Sequence, residues 1–140
     1  MNKIKRNNPL NIRYSRSNNW VGQIGKDNGF CVFESLAYGF RAAFILLCNY
    51  KKQGFDTVEK IIKKFAPPSE NPTYHYIKFV ADKLENIGIH CYGVDMESRP
   101  LSMDNECIVS LLYAMCRFET GVSVSREDIK GYLLSVGVLL

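Results

Sequence analysis

The sequence is poor in everything that a membrane protein, a disulfide scaffold or a metalloprotein needs. Its longest unbroken apolar run is Ala42 to Cys48, far short of the roughly 20 residues of a spanning helix, so no membrane span is expected. Met1 is followed by polar and basic residues without an apolar h-region. No secretory signal peptide is therefore expected; the protein should be made in the cytoplasm, and a target outside it must be reached with the help of another protein. The five cysteines, Cys31, Cys48, Cys91, Cys107 and Cys116, are odd in number, show no C-x-x-C spacing and fall mostly on apolar faces. They read as small buried hydrophobes of a reducing compartment. His75 and His90 are the only histidines, and Cys91 beside His90 is not ligand spacing, so neither a metal nor a cofactor is expected. There is also no internal repeat and no low-complexity segment.

What is present is an ordinary globular composition. A length of 140 residues, 46% of them hydrophobic and 23% charged, predicts one domain over 1–140 with a real core. The formal charge is +4, and Lys3, Lys5, Arg6, Arg13 and Arg16 are crowded near the N-terminus. Such a start suits nucleic acid, acidic lipid or bacterial cell wall, and equally a solvated tail. A nucleic-acid partner is not expected, because no basic helix or aromatic platform motif accompanies it.

Along the chain, residues 7–29 are rich in Asn, Ser and Gly, with isolated Ile12, Trp20, Val21 and Ile24. That pattern predicts loops with one or two short strands. A lone Trp among amides suits the apolar face of a sugar, or simply fills a core. Phe30, Val32 and Phe33 form a strand-like run that ends at Glu34. Ser35 caps a helix carrying Leu36, Phe40, Ala43, Phe44 and Leu47, and Asp56 with Glu59 resembles a capping box before Val58, Ile61, Ile62 and Phe65. Asn71 and Pro72 start a helix with Tyr76, Phe79, Val80 and Leu84 inward; Ser125 and Asp128 start a last one through Ile129, Leu133 and Leu134. Ile89 to Val94 reads as extended. The expected fold is mainly α, with at most a small β element.

The stretch from Ser102 to Gly121 organises this set. Ile108, Leu111, Leu112 and Met115 recur at helical spacing, and the next step on the same stripe is Glu119, followed by Thr120 and the stop signal Gly121. A carboxylate at the end of a buried helix is a candidate general acid, since burial disfavours its charged form. The alternative is a Glu that turns to solvent at a frayed end.

Several ordered blocks carry a resemblance. N-N-P-L-N-I-R (Asn7 to Arg13), W-V-G-Q (Trp20 to Gln23), F-x-V-F-E-S with G-F-R-A (Phe30 to Ala42), D-T-V-x-x-I-I (Asp56 to Ile62), A-P-P-S-E-N-P-T-x-x-Y-I (Ala66 to Ile77) and A-M-x-x-x-E-T-G (Ala114 to Gly121) resemble a family of phage and prophage virion structural proteins. Leu10 departs from it, where the family usually has Gly. The Asn-rich block, the aromatic strand and N-P-T-Y (Asn71 to Tyr74) also look like signatures of lysozyme-like glucosaminidases that cut bacterial cell wall. In those enzymes a helix ending in E-S-G precedes the Asn-rich loop and carries the catalytic acid; here the corresponding helix, ending in Glu119, comes last. A circular permutation of a lysozyme-like helical domain would explain the order.

The resemblance implies a phage-type peptidoglycan-degrading enzyme that cleaves a glycan β-1,4 bond, in the virion or at the cell wall after release. Glu119 would be the general acid and Glu34 the second carboxylate, acting as nucleophile or base, although Glu34 also sits where a helix dipole stabilises any carboxylate. Asn8, Asn11, Asn71, Tyr74 and Tyr76 would contact sugar or peptide. The implied partners are bacterial peptidoglycan and other virion proteins. The rival reading is a non-catalytic virion structural or cell-wall-binding protein of the same fold.

Overall fold

Five helices and one antiparallel hairpin make up the computed structural model, which describes residues 3–68, 72–93 and 97–140. The fold is mainly α with a small β element, as the count of capped amphipathic stretches predicts. The hairpin joins β1 (Gln23–Asp27) to β2 (Phe30–Phe33). Its turn is Asn28-Gly29, with φ of 53° and 82°, the left-handed pair that a tight two-residue hairpin requires. β2 buries Cys31 and Phe33, whereas β1 is almost wholly exposed.

Four of the five helices start where a side chain takes up an orphan N–H. Ser35 Oγ accepts from Tyr38 N at the head of α1 (Leu36–Lys52), and Ser125 Oγ accepts from Asp128 N at the head of α5 (Arg126–Ser135); each such cap stabilises its helix by about 1 kcal/mol. Two starts differ from the sequence reading. The cap of α2 (Val58–Phe65) is Thr57, whose Oγ1 accepts from Lys60 N at 3.1 Å. Asp56 instead faces Lys60 at 3.7 Å while its carbonyl accepts from Leu101 N at 2.7 Å. The central helix α4 (Asn105–Thr120) begins at an Asp104 cap rather than at Ser102, because the Asp104 carboxylate reaches Cys107 N at 2.8 Å. α3 (Thr73–Asn86) follows Pro72, and its expected cap Asn71 lies outside the described residues. Of the segment expected to be extended, Ile89 to Val94, the last residue lies outside the described ones, and the described part shows a single bridge, Tyr92 to Ser98.

α4 is the axis of the core. It packs against α1, α3 and α5 and buries Cys107 to Leu112 and Ala114 to Cys116. Each fully buried Leu or Ile on such a helix stabilises by about 1.5–3 kcal/mol, far more than any cap, so the apolar stripe fixes where α4 lies. All five cysteines are free, and all but Cys48 are buried; burial pushes the Cys91 thiol up to about 12, which suits a packing role.

The Asn-rich segment is clamped onto this core. Asn8 is fully buried: its amide donates to Ile12 O at 3.0 Å and Cys31 O at 2.9 Å, and its Oδ1 accepts from Ile12 N at 2.8 Å. α1 approaches so closely that a Cβ at Gly39 would stand 1.9 Å from Asn7 O. Only glycine permits that approach, and through it the loop is laid across the molecule toward the end of α4.

Candidate functional site

The site forms where that loop meets the last turn of α4. Asn11, with φ 51°, turns its amide onto Glu119, and Nδ2 donates both to the Glu119 carbonyl at 3.1 Å and to carboxyl Oε1 at 3.2 Å. The first bond takes up a C-terminal carbonyl that the helix leaves unsatisfied. The second holds the carboxyl group in one orientation. Gly121 then ends the helix in the left-handed conformation, so the chain turns away and leaves Glu119 at the edge of the core.

Three features bear on the proton of Glu119. Its pKa is raised, chiefly because burial disfavours the charged form; hydrogen bonding from Tyr76 and Asn11 and the charge of Arg13 oppose the rise. The negative end of α4 also disfavours a second negative charge there. Tyr76 is wedged between aromatic rings, stacked on Phe118 at 3.9 Å and edge-on to Phe65 at 6.4 Å. Its hydroxyl is buried without a hydrogen bond of full geometry, yet burial and then the neighbouring Glu119 charge hold its pKa well above the usual phenol value. Burial likewise pushes Tyr50 up to about 12, so both phenols stay neutral beside the acid.

Glu119 opens on a cleft of about 430 Å³ lined by Asn11, Arg13, Phe30, Tyr50, Lys64 and Phe65 among others, and on a second of about 310 Å³ lined by Lys3, Lys5, Arg6, Asn11, Phe30 and Thr120. Among the described residues no other carboxylate lines either cleft. Glu34 is exposed at the β2–α1 junction, its N–H bonded to Gly22 O at 2.8 Å, and it is not brought to Glu119. Asn8 is fully buried, spends its amide on backbone groups and lines neither cleft. Tyr74 is 76% exposed on another groove, with Ile77, Lys78 and Tyr92. Trp20 packs against the core and lines neither cleft. Asn11 and Tyr76 are thus the residues gathered at Glu119. Tyr50, Phe30 and Lys64 were not expected there. Arg13 closes the Asn-rich block, the one sequence signal that could have pointed to it; Lys64 reads as an ordinary solvated face of α2.

Among the described residues no cluster of three or more His, Cys, Asp or Glu side chains could hold a metal ion, and no helix is long and apolar enough to cross a membrane. A cleft with one raised carboxyl, the neutral phenol of Tyr50 in its wall, that of Tyr76 buried behind the acid, and a basic rim is chemically fit to donate a proton to a polar ligand.

The chain is similar to Protein P5 of Pseudoalteromonas phage PM2, with 38% identity over 130 residues that cover 89% of this chain and 74% of that protein. It belongs to that phage protein family. No family model matches the sequence.

Proposed function

We propose that this chain is a phage virion protein that acts on bacterial peptidoglycan through a lysozyme-like, circularly permuted domain, with Glu119 as general acid. The observation that carries this reading is the Asn11–Glu119 contact. The Asn-rich loop and the helix bearing the acid are sequence neighbours in the unpermuted enzymes, and here they are joined in space from opposite ends of the chain. Membership of a phage family supports the virion setting.

Glu119 is the one carboxylate of the cleft among the described residues, and that bears on the choice of reaction. Hydrolysis by the usual glycosidase routes needs a second acidic group as base or nucleophile, and Glu34 stands outside the cleft. Intramolecular transfer needs only Glu119. Its proton passes to the glycosidic oxygen as the bond from that oxygen to the muramoyl C1 breaks. The muramoyl C6 hydroxyl then forms a bond to C1 and returns its proton to the Glu119 carboxylate. No water is consumed, and the product is an anhydro sugar end. Asn11 bonded to Oε1 leaves Oε2 to carry the proton. The Tyr76 ring is buried beside the acid, and burial keeps the carboxyl group biased toward its protonated form.

The second reading, a structural or cell-wall-binding virion protein without catalysis, is favoured by the same lone carboxylate. Incubation of purified cell wall with the protein, followed by mass analysis of the soluble fraction, separates the two. Anhydro-ended fragments are expected. Fragments carrying added water would move the chemistry to hydrolysis, and binding with no soluble fragment would support the second reading.

A further inference from the structure

The Tyr76 hydroxyl is an odd group to bury. Its residue is 1% exposed, and the ring is fixed from two sides, stacked on Phe118 at 3.9 Å and edge-on to Phe65 at 6.4 Å. Phe118 precedes the acid in α4, and Phe65 lines the same cleft as Glu119. This packing brings the phenol oxygen to the Glu119 carboxyl group, close enough for each to act on the other, without closing a hydrogen bond of full geometry. A buried hydroxyl in that state lowers stability. Phenylalanine would fill the same space without the loss.

The strength of the contact depends on the proton of Glu119. A protonated carboxyl group is a modest acceptor, and Asn11 already holds its Oε1 at 3.2 Å; a carboxylate accepts about twice as strongly. We propose that Tyr76 is a positioning residue for the acid, whose hydroxyl closes its hydrogen bond onto Glu119 as that group gives up its proton. This rests on the reading of Glu119 as a general acid and adds what takes up the charge left behind. Tyr76 keeps its own proton throughout, so the only proton to move is that of Glu119. The other groups around the carboxyl do not fill this role. Burial pushes Tyr50 up to about 12 and raises Cys116, so both stay protonated, yet neither is a hydrogen-bond partner of the carboxyl group. Arg13 and Lys64 line one cleft and Lys3, Lys5 and Arg6 the other. Among the described residues none of these cations forms a salt bridge with Glu119.

The test is Tyr76→Phe in the full chain, which keeps the ring between Phe118 and Phe65 and removes only the hydroxyl. The Glu119 carboxyl carbon resonance, identified by its loss in Glu119→Gln, is followed with pH. The ionisation constant of Glu119 should fall roughly tenfold in the variant, the equivalent of one hydrogen bond to a charged group. Urea unfolding gives an independent reading. In acid, where Glu119 is protonated in both proteins, the variant should match or exceed the wild type in stability, since it buries no unpaired hydroxyl. As pH rises through the folded-state titration of Glu119 the variant should lose ground to the wild type, because its acid keeps the proton to higher pH. On peptidoglycan, the alkaline fall in rate should move to higher pH, which a purely structural ring would not cause. An unchanged ionisation constant, or a variant less stable than the wild type even in acid, would overturn the proposal. Titration and unfolding need no substrate, so they decide it separately from cleavage. A wild type that solubilises no cell wall would remove the glycan-cleaving reading, whereas a Glu119 titration that still moves in Tyr76→Phe would uphold the hydrogen bond.

Discussion

Asn11 and Glu119 lie 108 positions apart and are joined by two hydrogen bonds from a single amide nitrogen, one to the helix-end carbonyl at 3.1 Å and one to the carboxyl Oε1 at 3.2 Å. The contact ties the first loop of the chain to the end of its central helix, so its loss should be felt in both stability and proton affinity. Asn11→Gly removes the amide while accommodating φ 51°. It is expected to lower stability by about 1–2 kcal/mol in urea unfolding and to raise the Glu119 pKa further, read from the carboxyl carbon resonance. An unchanged titration would mean that the bond does not orient the acid.

Asn8 holds the same loop from beneath. Asn8→Ala would leave Ile12 N, Ile12 O and Cys31 O without their partner, and groups buried and unsatisfied in this way cost about 1–3 kcal/mol each when no water reaches them. A loss of roughly 3 kcal/mol or more in chemical denaturation is expected. A variant of wild-type stability with weakened ligand binding would return Asn8 to the role of a ligand contact.

The buried acid also predicts how stability varies with pH. The Glu119 pKa is raised above its ordinary 4.5, so there is a window in which the unfolded chain has lost this proton and the folded chain keeps it. Within that window the folded state binds more protons, and stability falls as pH climbs, levelling off once the folded carboxyl ionises. Glu119→Gln is neutral throughout. Wild type and variant should therefore be closest in stability below about pH 4.5, with the variant gaining as pH rises. Parallel stability curves would show that Glu119 titrates as it would in solvent.

Glu34 supplies the contrasting case. It is exposed near the start of α1, where a carboxylate contributes about 0.3–1 kcal/mol through the helix dipole. Glu34→Gln is expected to lose no more than that in thermal unfolding and to keep the full rate of cell-wall solubilisation. A rate loss comparable to that of Glu119→Gln would make Glu34 the second catalytic carboxylate after all.

The helices were legible because each carries its own signals. Ser35, Ser125 and Gly121 act where the local pattern puts them, and the stripe from Ile108 to Met115 is the buried face of α4. The cap of α2 was misassigned by one residue, since Asp56 and Thr57 are both good caps and only the tertiary bond from Leu101 N to Asp56 O decides between them. β1 carries no apolar alternation, so the sequence placed it only within a stretch of loops with one or two short strands. At the site, Glu119 could be found from periodicity and Asn11 from the resemblance of its block. Tyr50, Phe30 and Lys64 reach the cleft through packing between elements far apart in sequence, which no local pattern encodes. Asn8 was expected among ligand contacts because an Asn in a loop can serve a ligand or the backbone; the fold buries it and turns its amide to backbone groups.

The decisive measurement is the rate at which purified protein solubilises peptidoglycan, compared between the wild type and Glu119→Gln with both shown to be folded. The variant preserves size and the Asn11 contact but has no carboxyl proton to give, so the rate should fall by roughly a hundred- to ten-thousand-fold. Wild-type activity that survives the substitution would contradict the assignment of Glu119 as the acid.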